Sequence, residues 1–179
     1  MKTKIQHVKD HLLKYGSITP RIAITHYNYL RLADGIYKLK NKGWNIKTIM
    51  KNSARANYAK YWYISSPLDK KSDLRQTKTS EKWKNSAVYM IICLSNNKKY
   101  IGASTKVNNR IEAHKRMLKN NNHEIGFLQD DYNEFGEENF EYVILEKCNP
   151  WELHNYENYY IEMYDTIKIG YNRYSSFMV

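Results

Sequence analysis

A polar stretch between Ser65 and Ser86 divides this chain. It carries one proline and charges of both signs, and no apolar residue recurs in it at helical or strand spacing. Such a run reads as a linker, so the apolar patterns on either side are expected to close two separate cores. Residues 1–66 are expected to form one domain, 67–86 the linker, and 87–179 a second domain. A flexible linker of roughly twenty residues spans about 25 Å. Trp83, in a partly helical stretch near Glu81-Lys82-Trp83-Lys84, argues for some docking, because an exposed indole in a free linker would be unusual.

Charge follows the same division. Residues 1–66 hold 13 Lys/Arg against 2 Asp/Glu, residues 67–86 hold 6 against 3, and residues 87–179 hold 10 against 13, within a total of +11. A block so one-sided favours a polyanion, nucleic acid first. The last part, slightly acidic, has little such attraction. Abundant Lys, Asn, Ile and Tyr would follow from AT-rich coding, which accounts for some of the basicity. The charged start has no apolar run of signal-peptide length, and no stretch approaches the roughly 18 apolar residues of a membrane span. Cys93 and Cys148 read as buried, reduced thiols. A cytoplasmic protein of a bacterial or phage-infected cell, with no membrane partner, is the expectation.

In the first domain Ile5, Val8, Leu12 and Leu13 repeat at helical spacing and stop at Gly16. Thr19 is placed to cap a short helix with Pro20 at its first position, ending at His26. A longer helix is expected from Tyr29 to Asn41, burying Tyr29, Leu32, Ala33, Ile36 and Leu39 and turning Arg31, Asp34, Lys38 and Lys42 outward. Gly43 ends it. Trp44–Ile49 and Tyr58–Ile64 read as two strands joined by a polar loop. Three helices followed by a two-stranded hairpin describe a winged helix-turn-helix, and Gly16–Pro20 with Arg31–Leu39 resembles small winged-helix modules of phage proteins. Arg31, Lys38 and Lys42, with Arg55 at the wing tip, are the candidate DNA-binding residues.

The second domain reads as strands Ala87–Leu94 and Lys99–Ala103 around a turn at Ser95–Lys98, helices over 106–119 and 124–135, a strand Asn139–Glu146, and a helix from Pro150 to about Tyr164. A three-stranded antiparallel sheet flanked by helices follows, and the whole chain is α+β. Arg110 and His114 are one helical turn apart, so they project side by side. His114 sits on the apolar edge of its helix, where a packed core histidine is the commoner outcome. Glu157 borders the buried face of the last helix. A half-buried carboxylate needs a cation or a metal, and a salt bridge to Arg110 is one way to supply it.

Tyr89 in Ala87–Ile92, Tyr100-Ile101-Gly102, Arg110, His114, Glu157 and Asn172 together resemble the GIY-YIG nuclease family, over roughly Ser86 to Asn172. The resemblance implies the same sheet. It assigns the two motif tyrosines to Tyr89 and Tyr100, one of them helping to activate water, and the phosphate-contacting arginine to Arg110. It assigns the ligand of a divalent metal, Mg²⁺ or Mn²⁺, to Glu157. His114 and His123 fall where phage homing members carry histidines, Asn172 matches the asparagine near the family's end, and Gly102 would let backbone approach the substrate. The first motif departs from the pattern at Ala87-Val88, and Asn109 stands where a basic residue is frequent. The expected protein is a site-specific endonuclease of double-stranded DNA, of phage homing or mobile type, acting as monomer or dimer. A restriction enzyme, or a DNA-binding regulator with an inactive second domain, are the alternatives.

Overall fold

The computed structural model describes residues 2–53, 56–69 and 85–173. These fall into two compact units, one within Met1–Thr77 and the other within Lys78–Val179. Lys70–Lys84, with Trp83, and the wing-tip candidate Arg55 lie outside the described residues.

The first unit opens with α1 (Lys4–Tyr15), capped by Thr3, whose hydroxyl accepts the Gln6 N–H at 3.3 Å. Gly16, at φ 72°, ends it in the left-handed region. Thr19 accepts the Ile22 N–H at 3.3 Å and starts α2 (Pro20–Tyr27), which closes at Asn28 with φ 48°. Helix α3 spans Leu32–Asn41, three residues shorter at its start than the sequence suggests. Left-handed Asn28 breaks the helical run, and Tyr29 reaches the core from the turn instead. A Cβ on Gly35 would stand 2.6 Å from the Tyr29 hydroxyl, so the buried stripe of α3 is Leu32, Gly35, Ile36 and Leu39. Ala33, expected in that stripe, is exposed.

Three strands, not two, complete this unit. The short strand β1 (Ser17–Ile18) and the long strands β2 (Asn45–Lys51) and β3 (Tyr58–Ser65) form an antiparallel sheet in the order β1-β3-β2. Ser17 pairs with Trp62 and Ile18 with Tyr61. Two residues are too few to show a period of two, so the sequence reads them as turn. Val8, Leu12, Ile18, Ala23, Ile36 and Leu39 lie at the centre of the core between helices and sheet.

In the second unit β4 (Ala87–Cys93) is the middle strand between β5 (Lys99–Ser104) and β6 (Phe140–Lys147), all antiparallel. Helices α4 (Val107–Lys119) and α5 (Gly126–Phe135) lie between β5 and β6 in sequence, and α6 (Leu153–Met163) and the short α7 (Thr166–Ile169) follow. An Asn149–Glu152 capping box leads into α6. Tyr89 stands opposite Gly102 and Ile144, and Ile91 opposite Tyr100 and Tyr142. Cross-strand partners share a face, and this face packs on Val107, Leu118, Leu128 and Tyr132 to make the core. Both cysteines are free thiols, Cys93 buried and Cys148 partly so.

Strand β5 is an edge, and its outward backbone groups need partners. The last described segment supplies them. Lys99 C=O accepts the Tyr171 N–H at 2.9 Å. The Asn172 side chain clasps Ile101, accepting its N–H at 2.8 Å and donating to its C=O at 2.9 Å. Gly170 lets this segment come close, since a Cβ there would run into the Lys99 and Thr166 carbonyls. Asn172→Ala would strand two buried backbone groups. We expect a loss of about 2–3 kcal/mol in chemical denaturation of the second unit; a change below about 0.5 kcal/mol would show that the clasp is dispensable.

Candidate active site

The middle and edge strands place two phenols side by side. Tyr89 is 1% exposed, and its ring lies 6.3 Å from that of Tyr100. Space for the Tyr89 ring comes from Gly102 across the strand pair, where a Cβ would sit 2.5 Å from the Tyr89 hydroxyl oxygen. The glycine thus makes room for a tyrosine; the sequence suggests it makes room for substrate. Tyr100 is less enclosed than Tyr89, as a half-buried residue next to the edge.

Helix α4 brings Arg110 and His114 to the phenols. Both phenols feel the positive charge of the Arg110 guanidinium, which opposes the rise that burial imposes on their pKa. Burial pulls the Arg110 pKa down, but Tyr89 and Tyr100 outweigh it and hold it above the ordinary arginine value. His114 is 1% exposed, with Nε2 2.7 Å from the Tyr89 oxygen and Nδ1 2.7 Å from Nε2 of His123. It is therefore both packed in the core and bonded to the cluster. Burial, then the charge of Arg110 and then His123, push its pKa down from 6.5 to about 3. Burial likewise lowers His123 and raises both phenols.

Glu157 comes from α6 and faces the Ala103 backbone of β5, whose effect on its carboxylate is smaller than that of burial. Burial raises its pKa from 4.5 to about 7, and its negative charge is felt by Tyr100. Among the described residues no ion pair joins it to Arg110, so the salt bridge that sequence leaves open is not formed. Nor do three His, Cys, Asp or Glu side chains gather anywhere among the described residues as a metal cluster. The structure thus brings Tyr89, Tyr100, Arg110 and His114 into direct contact and Glu157 close to Tyr100. Asn172 stands apart on Ile101.

His123 is bound more closely into this cluster than its sequence shows. It lies in the α4–α5 loop, where Gln129 accepts its backbone N–H at 3.0 Å and donates to Leu118 C=O at 3.0 Å. Its Nδ1 accepts the Ile125 N–H at 3.1 Å. No local period marks a loop histidine, so only the fold reveals these bonds.

In the first unit Lys38 is exposed on α3, with Arg31 exposed just before its start and Lys42 just after its end. Tyr37, 66% exposed, projects beside them. Arg31 has an ion-pair partner in Asp34, at 3.9 Å. No helix among the described residues is long and apolar enough to cross a membrane.

Comparison with known proteins agrees with both units. Residues 3–64 match the family model of a winged helix-turn-helix domain, and residues 85–172 that of the GIY-YIG catalytic domain. Among solved structures, a glutamate-to-alanine mutant of the catalytic domain of intron endonuclease I-TevI is 28% identical, covering 51% of this chain and 95% of that one, with a TM-score of 0.47. The catalytic domain of homing endonuclease I-TevI is 29% identical, covering 49% and 96%, with a TM-score of 0.46. No curated protein matches. The tyrosine pair, the arginine and the glutamate thus lie within the segment that matches a GIY-YIG catalytic domain, and the basic first unit within the segment that matches a winged helix-turn-helix domain.

Proposed function

We propose that this chain is a site-specific endonuclease of double-stranded DNA, of homing or mobile type, in which the winged helix holds the duplex and the second unit hydrolyses the phosphodiester. The observation that carries the reading is the cluster itself: a cationic fork against two phenols, with a half-buried carboxylate nearby. A structural cluster would neutralise that carboxylate with the neighbouring arginine, whereas here the two remain apart.

Arg110 presents a planar fork of N–H donors that matches phosphate oxygens and stabilises charge as it builds on them. Tyr100, the more accessible phenol, holds the attacking water by a hydrogen bond, while Tyr89 supports it from behind. His114 holds Tyr89, and Asn172 keeps β5, and with it Tyr100, in register. Glu157 suits a hard cation such as Mg²⁺ or Mn²⁺: it is a half-buried carboxylate with lone pairs to offer, and Mg²⁺ needs few protein ligands because it keeps several waters. When bound there, the cation would add positive charge at the phosphoryl group.

Arg31, Lys38 and Lys42 would contact the duplex from α3, mainly through phosphates. Charge reversal at Arg31 and Lys38 together is expected to weaken duplex binding at least tenfold and to lower the slope of log affinity against log salt by about 2. Fluorescence anisotropy at several salt concentrations measures both. Unchanged affinity would move the DNA-holding surface elsewhere.

A further inference from the structure

The geometry points to a one-way hydrogen-bond relay, in which the Ile125 backbone N–H fixes the tautomers of His123 and His114 and so makes His114 a hydrogen-bond donor to the Tyr89 oxygen. His123 is then a positioning residue for Tyr89, and His114 a donor to Tyr89 and not a proton acceptor. This rests on the nuclease reading above and adds to it the state of each proton.

The argument starts from a group that can only donate. The Ile125 N–H lies 3.1 Å from His123 Nδ1, so that nitrogen carries no hydrogen. A neutral imidazole with a bare Nδ1 carries its hydrogen on Nε2. His123 Nε2 is 2.7 Å from His114 Nδ1, which therefore accepts. By the same rule the His114 hydrogen is on Nε2, 2.7 Å from the Tyr89 oxygen. An imidazolium at either position would set two donors against each other. Burial, which holds both histidines below their ordinary pKa, agrees with the neutral forms.

At Tyr89 the oxygen accepts from His114, so the phenol keeps its own hydrogen and turns it away from the histidine. Each link is short, and the histidines and Tyr89 are at most 8% exposed, so water does not compete for these bonds.

Nitrogen-15 NMR of the full chain tests the relay without reference to activity. Both His114 and His123 are expected to be neutral and protonated at Nε2 near neutral pH. An Nδ1-protonated or doubly protonated His114 would overturn the proposal. In His123→Leu, His114 loses the donor that fixes it; we expect a mixture of its tautomers and a fall in kcat of about tenfold to a hundredfold with KM nearly unchanged, the scale of outer hydrogen-bond partners. His123→Gln, which keeps an N–H near the Nε2 position, is expected to restore the His114 signal and most of the rate. A His114 tautomer that ignores both substitutions would also refute the relay. If His123→Leu does not fold, the wild-type shifts and His123→Gln decide. A wild-type protein that cuts no DNA defeats the nuclease reading, while the nitrogen shifts still judge the relay.

Discussion

Glu157→Gln is expected to make the metal-free protein more stable at pH 8 while abolishing cleavage. The Glu157 pKa rises from 4.5 to about 7 on folding because burial opposes its charge. A raised folded-state pKa gives stability that is full below the unfolded value and is lost as pH rises through the folded value. At pH 8 the ionised carboxylate therefore costs about 3 kcal/mol, which a neutral glutamine of the same shape does not incur. His114 has the opposite sign. Its pKa falls from 6.5 to about 3 on folding, so its contribution is present above pH 6.5 and is lost as pH drops toward 3.

Between pH 7 and pH 5 the two groups pull against each other, each by about 2 kcal/mol. The wild-type second unit should show a nearly flat stability over that range. The glutamine variant, left with His114, should lose about 2 kcal/mol across the same range. Thermal denaturation at pH 5 and pH 8 without divalent ions reads this directly, and identical pH profiles for the two proteins would contradict it. Mg²⁺ at pH 8 should raise the melting temperature of the wild type and leave that of the variant unchanged.

Arg110→Ala carries the other large expectation. The guanidinium brings the positive charge of the cluster, which acts on both phenols. Its loss removes the phosphate fork and takes that charge away from Tyr89 and Tyr100. Loss of one charge-stabilising donor at a reacting oxygen costs about 10²–10³ in rate, and both effects act here, so kcat should fall by at least that much. Arg110→Lys keeps the charge but not the planar fork, and should recover only a small part. Duplex binding should hold in both, because the cations proposed to grip DNA are in the other unit. Rapid-quench cleavage at saturating protein separates rate from binding; a lysine variant as fast as wild type would show that charge alone matters.

Elements long enough to repeat a pattern are those the sequence reveals. The helix stripes of α1, α4 and α6 are legible, as are the capping residue Thr19 and the terminators Gly16 and Gly43. What escapes it is short or depends on a distant partner. Strand β1 has two residues, and the start of α3 depends on Asn28 taking a left-handed turn. The role of Gly102 needs its cross-strand neighbour Tyr89. At the site, Arg110 and His114 are visible as neighbours on one helix turn, and Glu157 as a carboxylate at the border of a buried face. That Arg110 sets its charge beside the phenols instead of pairing with Glu157 is a tertiary fact. So is the path from Ile125 through His123 to Tyr89, which joins a loop, a helix and a strand with no common period.

The most direct test of the central claim is cleavage of supercoiled plasmid carrying random duplex inserts. Wild type with Mg²⁺ is expected to convert it to nicked or linear form at defined positions, whereas Glu157→Gln and Arg110→Ala bind the same DNA and leave it intact. Plasmid bound but uncut by all three proteins would contradict the claim that this chain hydrolyses DNA, and cleavage by the two variants at the wild-type rate would place the chemistry on other residues.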